Sequence, residues 1–285
     1  MKLNDMHTKV PNTWCPACPN FMILSSAKKA IMELINEKYA KQSDFAAVTG
    51  IGCHGKLYDY INIGGFYGLH GRAIPAATGV VLGNPALKVI AFAGDGDAYA
   101  EGISHFINSA RMNPNYALFV HNNKVFALTT GQITPTSEKG YLGKSTPKGN
   151  PLQPINPIAL ALEAGASFVA REYALDVKNL TATMKAAIKH KGFAYVDIIQ
   201  PCLTFHNFTD YIQDRTYRIK TPKTLEAALK YARVWDYSLS KKAKIPVGIF
   251  YRENRPTLEE SFDMKTWYKV KRTPNMRLWE RLKVK

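Results

Sequence analysis

Residues 88–123 read KVIAFAGDGDAYAEGISHFINSARMNPNYALFVHNN, and this stretch decides the fold class. One apolar run of strand length ends in Gly-Asp-Gly-Asp, a second ends in Asn-Asn, and a helical pattern lies between them. Strand, helix and strand in this order predict two parallel strands, because parallel neighbours need a long crossover connection. The two polar ends then lie at the same edge of the sheet, where open α/β sheets bind ligands.

Two more apolar runs extend this pattern outward. Residues 45–48 lead into the glycine-rich TGIGCHG, and AYVDIIQ at 194–200 leads into Pro-Cys. Residues 21–40 place apolar side chains at helical spacing, which predicts an amphipathic helix. These side chains are Ile23, Ala27, Ala30, Ile31, Leu34 and Ile35. The alternation predicts an α/β fold with a mostly parallel sheet flanked by helices.

Composition divides the chain into three segments. Residues 1–20 are an N-terminal arm in which prolines interrupt any helix, residues 21–210 are the α/β domain, and residues 211–285 are a basic C-terminal extension. Within the domain, residues 134–157 are rich in Pro, Gly, Ser and Lys. A loop this long inside a compact domain is usually a lid or a binding loop, so we expect it to be functional.

Composition also restricts the class of protein. The 285 residues are 46% hydrophobic, which allows a substantial core, and no apolar run reaches the roughly 18–20 residues that span a membrane. The first residues lack the apolar region of a secretory signal. Four cysteines are too few for a disulfide framework in a chain of this length. We therefore expect a cytoplasmic protein without a membrane partner.

The formal net charge of +16 is compatible with a nucleic acid, an anionic surface or an acidic protein as partner. Residues 211–285 contain 19 Lys and Arg against 8 Asp and Glu, so most of the excess lies there. The tightest clusters are KKAK at 241–244 and KVKR at 269–272. A solvated lysine-rich surface is the simplest interpretation, but we favour contact with acidic protein partners, both as a subunit interface and as a docking surface. No segment matches a common nucleic-acid-binding motif, so we expect no nucleic-acid partner.

The paired motifs GDGD at 94–97 and NN at 122–123 predict a diphosphate and metal site. Glycine lets a backbone approach a diphosphate closely. Oxygens of the Asp95 carboxylate, the Asn123 amide and the Val125 carbonyl form the hard shell that Mg²⁺ prefers, completed by phosphate oxygens. The alternative is two polar turns without a ligand. One motif alone would be weak, but two motifs after successive strands are much more specific.

The four cysteines form a second candidate site. Cys15 and Cys18 make a CxxC pair, which in a cytosolic protein indicates a metal or redox site. Cys53 lies in GIGCHG, and Cys202 lies far along the chain. Spacing alone leaves an iron–sulfur cluster and a structural zinc site open, although zinc sites usually contain two CxxC pairs. Buried free cysteines are the third interpretation.

These motifs resemble those of the β subunits of 2-oxoacid:ferredoxin oxidoreductases. GDG…NN is similar to the thiamine diphosphate signature, and residues 91–136 are similar to that family throughout. LHGRAIPAATG at 69–79 resembles the family's HGR-x-x-P region, and WCPACP at 14–19 resembles its WCPxCG motif with Pro19 in place of the glycine. TTGQ at 129–132 departs from the more usual Thr-Gly/Lys-Gly-Gln. The resemblance covers roughly residues 12–210.

The resemblance implies thiamine diphosphate, Mg²⁺ and one [4Fe–4S] cluster as cofactors. It makes Asp95, Asn123 and Val125 the Mg²⁺ ligands. The implied cluster ligands are Cys15, Cys18, Cys53 and Cys202. The residues expected around thiamine diphosphate are Ile51, Gly52, Cys53, His54, His70, Gly94, Gly96, Asp97, Ala127 and Leu128.

Two residues are expected to act in catalysis. His70, in LHGR, resembles a family position near the thiamine. Lys56 lies three residues after Cys53, and in some relatives a basic residue there meets the far carboxylate of 2-oxoglutarate. The alternatives are a satisfied histidine and a surface lysine. For His105, on the helix after GDGD, we expect an ordinary surface or core role.

The implied reaction is CoA-dependent oxidative decarboxylation of a 2-oxoacid, such as pyruvate or 2-oxoglutarate, with electrons passing through the cluster to ferredoxin. Thiamine enzymes need a glutamate near the aminopyrimidine ring, and no segment here matches it. The family supplies it from a partner α subunit, so we expect a heterodimer and an inactive isolated chain. The alternatives are a subunit of a non-redox thiamine diphosphate decarboxylase, which would not explain the cysteines, and a basic nucleic-acid-binding protein.

Overall fold

The predicted alternation of strands and helices is present in the computed structural model, which describes residues 1–266 and Lys269. Ten strands are described: β1 Phe45–Thr49, β2 Gly64–Tyr67, β3 Lys88–Gly94, β4 Tyr116–Asn122, β5 Val125–Phe126, β6 Gln132–Ile133, β7 Phe168–Tyr173, β8 Ala194–Ile199, β9 Thr216–Arg218 and β10 Ile245–Arg252. Nine α-helices are described: α1 Asn20–Asn36, α2 Leu57–Tyr60, α3 Ala73–Gly83, α4 Ile103–Met112, α5 Pro157–Glu163, α6 Val177–Lys189, α7 Thr209–Gln213, α8 Leu225–Ala232 and α9 Leu258–Ser261.

Eight of these strands form one sheet in the order β2-β1-β3-β4-β8-β7-β10-β9. All neighbours from β2 to β7 are parallel, whereas β10 pairs antiparallel with β7, and β9 runs parallel to β10. Strands β5 and β6 form a separate small ribbon. The prediction of a mostly parallel sheet flanked by helices is confirmed.

The apolar runs become strands because the sheet is covered on both faces. Helices α1 and α6 pack over one face, and α3, α4, α5 and α8 lie over the other. Every residue of β4 is buried, as expected for a central strand of a parallel sheet. Helix α1 ends at Asn36, four residues before the predicted end, because Lys38 adopts a left-handed conformation with φ 59°.

The sheet continues beyond residue 210, where composition predicts the start of the C-terminal extension. The fully buried Arg171 of β7 donates one hydrogen bond to the Tyr237 hydroxyl (2.8 Å) and one to the Pro246 carbonyl (3.2 Å). Tyr237 in turn donates to Asp197 of β8 at 2.6 Å. Buried polar contacts therefore join β10 and the segment around Tyr237 to the parallel part of the sheet. The proposed domain boundary at residue 210 stays a prediction.

The N-terminal arm contains a 3₁₀ turn at Leu3–Met6 and then runs irregularly to the start of α1, apart from one bridge between His7 and Ile61. Within the described residues, no helix combines the length and the apolar character needed to cross a membrane. The predicted basic cluster at 269–272 lies outside the described residues, apart from Lys269.

Candidate functional site

The carboxyl ends of four adjacent strands, β1, β3, β4 and β8, surround a cavity of about 110 Å³. Its walls contain every residue predicted for thiamine diphosphate or Mg²⁺: Ile51, Gly52, Cys53, His54, His70, Gly94, Asp95, Gly96, Asp97, Asn123, Val125, Ala127 and Leu128. Five further lining residues were not predicted: Asn20, His121, Phe126, Thr129 and Gln200. We call this space the cofactor cavity.

Glycines form part of the wall because a side chain would collide with the site itself. A Cβ atom added to Gly94 would lie 2.8 Å from the His54 ring nitrogen Nδ1. One added to Gly96 would lie 2.2 Å from the Phe126 ring. The chain after Gly96 continues as a π-helical turn, Asp97–Glu101, a rare form that is frequent at functional sites. The GDGD motif thus keeps backbone at the cavity surface.

Asp97 organises the two predicted histidines. Its Oδ1 lies 2.6 Å from His70 Nδ1 and accepts a hydrogen bond from the Gly71 backbone N–H, while its Oδ2 lies 3.3 Å from His54 Nε2. Burial raises the pKa of Asp97, but these neighbours outweigh it and hold the pKa below its ordinary value. The ionised carboxylate receives the proton of His70 Nδ1, and the other ring nitrogen, Nε2, lies 3.7 Å from Glu101 Oε2.

Asp95 is buried beneath the same cavity. Its Oδ2 accepts hydrogen bonds from Thr134 (2.5 Å) and Thr136 (2.7 Å), which begin the long loop at 134–157. Burial nevertheless raises the pKa of Asp95 to about 6. The Asn123 amide oxygen accepts from the Val125 N–H at 3.2 Å, which folds the turn at the end of β4. A divalent cation would supply the positive charge that this carboxylate needs, so the oxygens present fit Mg²⁺.

Several buried polar atoms at the cavity have no protein hydrogen-bond partner. They are His54 Nε2, Asp97 Oδ2, His121 Nε2 and Gln200 Oε1. The His121 ring donates from Nδ1 to Asn20 at 2.8 Å, and burial holds its pKa well below the ordinary value, so the ring is neutral. Buried polar groups are nearly always paired in folded proteins. His54 Nε2 and Asp97 Oδ2 lie 3.3 Å from each other, so the buried atoms that best fit a polar ligand such as thiamine diphosphate are those of His121 and Gln200.

A second cavity, of about 240 Å³, is lined by all four cysteines. We call it the cysteine cavity. It shares Asn20, Cys53, Asn123, Ala127, Leu128 and Gln200 with the cofactor cavity. The buried Trp14 donates from its indole N–H to the Cys53 carbonyl at 2.7 Å. The N-terminal arm is thereby attached to the loop after β1, and Cys15 and Cys18 come close to the two distant cysteines.

The four thiols are unpaired cysteines and influence one another. Burial, and to a smaller extent the neighbouring Cys18 and Cys202, raise the pKa of Cys53 to about 11. Within the described residues, no three His, Cys, Asp or Glu side chains lie close enough together to hold one metal ion. Ligands of a single zinc ion lie within roughly 4 Å of one another, because each Zn–S bond is about 2.3 Å. Each thiolate of a four-iron cluster binds a different iron, so the ligands of a cluster need not converge on one ion.

Lys56 is placed differently from the other predicted catalytic residue. It lines the cysteine cavity, not the cofactor cavity, and its Nζ donates to the Thr13 hydroxyl at 3.0 Å. The lysine is partly exposed and is not the buried cation that an ion pair with a substrate carboxylate would favour most. His70 lies at the cofactor cavity, with its side chain 37% exposed. Its ring packs edge-on against Phe126.

Sequence signals existed for two of the missed residues. His121 directly precedes the Asn-Asn motif, and Gln200 directly follows β8, so both stand at strand ends like the motif residues. Asn20 and Phe126 had no such signal, because their approach depends on how the arm and the small β5–β6 ribbon fold back.

Comparisons with known proteins identify the family of the chain. Residues 50–198 match the family of the thiamine pyrophosphate enzyme C-terminal TPP binding domain, and residues 202–266 match the C-terminal family of the pyruvate ferredoxin oxidoreductase beta subunit. A 2-oxoacid:ferredoxin oxidoreductase subunit beta from Sulfolobus sp is 41% identical over 284 residues, which cover 95% of this chain and 92% of the relative. A 2-oxoglutarate synthase subunit KorB from Archaeoglobus fulgidus is 34% identical, with 86% of each chain covered.

A solved structure is similar over the whole chain. It is the 2-oxoglutarate:ferredoxin oxidoreductase from Magnetococcus marinus with 2-oxoglutarate, coenzyme A and succinyl-CoA bound. The TM-score is 0.89 at 32% identity, with 100% of this chain and 97% of that chain covered. The chain therefore belongs to the β subunits of the 2-oxoacid:ferredoxin oxidoreductases and carries their thiamine diphosphate-binding domain.

Proposed function

We propose that this β subunit holds thiamine diphosphate, Mg²⁺ and a [4Fe–4S] cluster in a complex that converts a 2-oxoacid and coenzyme A to acyl-CoA and carbon dioxide, and reduces ferredoxin. The shared wall of the two cavities is the observation that carries this proposal. Cys53 lines both cavities, so a cluster ligand adjoins the space proposed for the thiamine. Electrons leaving that space would have almost no intervening protein to cross.

Each group of residues has a distinct task. Asp95, Asn123 and Val125 would hold Mg²⁺, while Gly94 and Gly96 leave room for the diphosphate. The four cysteines would bind the cluster as thiolates, and they must lose their protons to do so. When bound, thiamine diphosphate supplies the electron sink for decarboxylation, and the cluster supplies one-electron transfer.

His70 is positioned to hold or release a proton beside the substrate. Asp97 fixes its Nδ1, so Nε2 is the atom available for exchange. The ring is partly exposed at the mouth of the cavity, where a substrate would enter. We therefore assign His70 the role of a proton donor or acceptor, and we assign Asp97 the role of fixing the ring's tautomer.

An α subunit would complete the site by covering the mouth of the cofactor cavity. Ile51 and Leu128 in the cavity wall are exposed large apolar side chains, and so is Leu69, which precedes His70 in the chain and is 76% exposed. Exposed apolar patches of this kind are typical of protein interfaces. The same partner would bring the glutamate for the aminopyrimidine ring. Relatives named for 2-oxoglutarate, and one bound to coenzyme A and succinyl-CoA, support 2-oxoglutarate and pyruvate as the first substrates to test.

The test is anaerobic co-purification of the chain with its α subunit. We expect a brown complex with about one thiamine diphosphate and a four-iron cluster per β subunit, which reduces ferredoxin when a 2-oxoacid and coenzyme A are supplied. A colourless complex that releases carbon dioxide without reducing ferredoxin would instead indicate a non-redox decarboxylase. A complex without thiamine diphosphate would refute the proposal entirely.

The cluster ligands are tested one at a time. Replacing Cys15, Cys18, Cys53 or Cys202 with Ala should abolish the cluster or make it labile, because each thiolate would bind a different iron. Iron and acid-labile sulfide are measured in each variant, and thiamine diphosphate content serves as the control for folding. Full retention of iron and sulfide in any variant removes that cysteine from the ligand set.

A further inference from the structure

Three buried polar side chains connect segments that supply proposed cofactor ligands. Lys124 follows the Asn-Asn motif, Glu138 belongs to the long loop at 134–157, and His206 follows Cys202. Their side chains are only 1%, 13% and 9% exposed. The Lys124 ammonium is 3.6 Å from Glu138 Oε2, and His206 Nε2 is 3.0 Å from Glu138 Oε1. One carboxylate thus contacts a lysine ammonium through one oxygen and a histidine ring through the other.

Lys124 is part of the turn that presents the proposed Mg²⁺ ligands. It stands between Asn123 and Val125 and has a left-handed backbone, with φ 63°. Its ammonium donates to the carbonyls of Thr136 (2.5 Å) and Tyr237 (2.6 Å), and its own carbonyl accepts from a hydroxyl of the long loop. Burial lowers the pKa of Lys124 to about 8, so the charged form depends on such partners.

His206 is part of the loop that presents Cys202. The two residues exchange backbone hydrogen bonds in both directions, at 3.0 and 2.9 Å. The Tyr141 ring packs 4.4 Å from the His206 ring, and its hydroxyl donates to the Phe205 carbonyl at 2.9 Å. The position of the His206 side chain therefore determines where the backbone of Cys202 lies.

Glu138 is held as a carboxylate by these two neighbours. Burial raises its pKa, but the hydrogen bond from His206 and the charge of Lys124 outweigh that effect and keep the pKa below the ordinary value. Charge-assisted hydrogen bonds of this kind are stronger and more directional than neutral ones. The long loop at 134–157 therefore contributes the central carboxylate of a group formed by Lys124, Glu138 and His206, which we call the clamp. It also contributes the threonines that contact Asp95.

We propose that Glu138 is a positioning residue that fixes the Cys202 loop and the Asn123–Val125 turn relative to each other. This inference rests on the proposed function, because it concerns the ligands of the cluster and of Mg²⁺. Glu138 contacts both segments, whereas the His206 ring contacts the long loop and its own loop and, within the described residues, not the Asn123–Val125 turn. Removing each residue should consequently have different effects on the two cofactors.

The test uses the intact complex with its α subunit. In Glu138→Ala, we expect iron release to a ferrous chelator about tenfold faster than in the parent, and binding of Mg²⁺ and thiamine diphosphate about tenfold weaker, as is usual when residues that orient metal ligands are lost. In His206→Ala, iron release should accelerate to a similar extent with cofactor affinity unchanged. His206→Gln should restore most of the parent rate, since its amide can still donate to Glu138.

Controls separate positioning from general destabilisation. Glu163→Ala removes an exposed carboxylate that pairs with Arg233, and it should change neither measurement. The electron paramagnetic resonance spectrum of the reduced cluster should change in Glu138→Ala and in the milder Glu138→Gln. Parental iron release and spectra in both Glu138 variants would overturn the inference, and so would a lowered melting temperature with both cofactors retained normally. If the parent itself lacks a cluster, the proposed function fails instead.

Discussion

Asp95 lies under the cofactor cavity with two threonine hydroxyls as its hydrogen-bond donors, and burial raises its pKa to about 6. We expect Asp95→Ala to weaken Mg²⁺-dependent binding of thiamine diphosphate by about 100-fold or more, since even residues that only orient metal ligands contribute 10–100-fold. Asn123→Ala should act in the same direction. Titration calorimetry with Mg²⁺ and cofactor measures both.

A matched control for Asp95 is Asp263→Ala, which removes a carboxylate that is 91% exposed. Its affinity for the cofactor should equal that of the parent. Parental affinity in Asp95→Ala and Asn123→Ala would contradict the Mg²⁺ assignment, whatever the activity of the two variants.

The position of Lys56 leads to a prediction about substrate choice. Its position in the wall of the cysteine cavity, beside Cys53, leaves its ammonium free to exchange the Thr13 hydroxyl for a substrate carboxylate. Lys56→Ile should therefore lower kcat/KM for 2-oxoglutarate about tenfold or more, which corresponds to the loss of one charge-assisted hydrogen bond, and should leave pyruvate little affected. Steady-state kinetics on both substrates test this prediction. Equal losses of kcat/KM on 2-oxoglutarate and pyruvate would show that Lys56 does not bind the far carboxylate.

The single residues that sequence could predict are those within contiguous motifs. GDGD and Asn-Asn are recognisable because each directly follows an apolar strand. Thr134 and Thr136 were not predicted as partners of Asp95, because they are 39 and 41 residues away in sequence and a hydroxyl has no distinguishing pattern. The contact of Trp14 with Cys53 likewise depends on the path of an irregular arm, which no periodicity describes.

Among the elements, the edge strand β2 depends on a close backbone approach. A Cβ atom added to Gly65 would lie 2.0 Å from the carbonyl oxygen of Ala47, its partner in β1. Gly65→Ala should separate the two strands and reduce the free energy of unfolding by about 1–3 kcal/mol, as overpacking does. Denaturant unfolding of the purified complex measures the change.

Gly79 provides the opposite case within helix α3. A Cβ atom there meets no other atom within 4 Å, so Gly79→Ala should stabilise the protein by about 0.5–1 kcal/mol through helix propensity alone. If Gly65→Ala and Gly79→Ala had the same free energy of unfolding, the close approach of β1 and β2 would not explain the result at Gly65.

The elements with regular patterns were the predictable ones. Strands β1, β3, β4 and β8 are apolar runs and α1 has helical spacing, so these elements could be assigned from sequence, whereas the buried β7 contains Arg171 and Glu172 and was not assigned. β9 has only three residues, two of them exposed, and β2 is exposed along its length. Such short edge strands are defined by their hydrogen-bonding neighbours in the sheet, which sequence patterns do not contain.

At the scale of the whole molecule, the predicted basic cluster at 241–244 lies at the same edge of the sheet as the cavities. β10 runs antiparallel to β7, so its first residues lie where the parallel strands end. Lys241, Lys242 and Lys244 surround an open pocket there together with Arg215. This placement supports a role in attracting ferredoxin, which is typically a small acidic protein.

Reversing Lys241, Lys242 and Lys244 to Glu should slow ferredoxin reduction at low ionic strength. The difference should disappear as salt increases, because the Debye length is only about 10 Å at 0.1 M. Turnover with a small uncharged acceptor should not change. The matched control reverses the exposed Lys220, Lys223 and Lys230, which make the same change in net charge elsewhere on the surface. If both triple variants slowed ferredoxin reduction equally, the effect would depend on net charge and not on the position of the 241–244 cluster.

The buried contacts of Arg171 with Tyr237 and Pro246 have a consequence for recombination between relatives. The two family matches end and begin near residue 200, which makes that point look like a natural place to exchange gene segments. A chimera joined there would pair β7 from one parent with β10 from the other. The Arg171 guanidinium would then come from one parent, and the Tyr237 hydroxyl that it contacts would come from the other. Chimeras of divergent relatives that fold should therefore keep Arg171, Tyr237 and Pro246 from the same parent. This requires that β7 is exchanged together with residues 237–252.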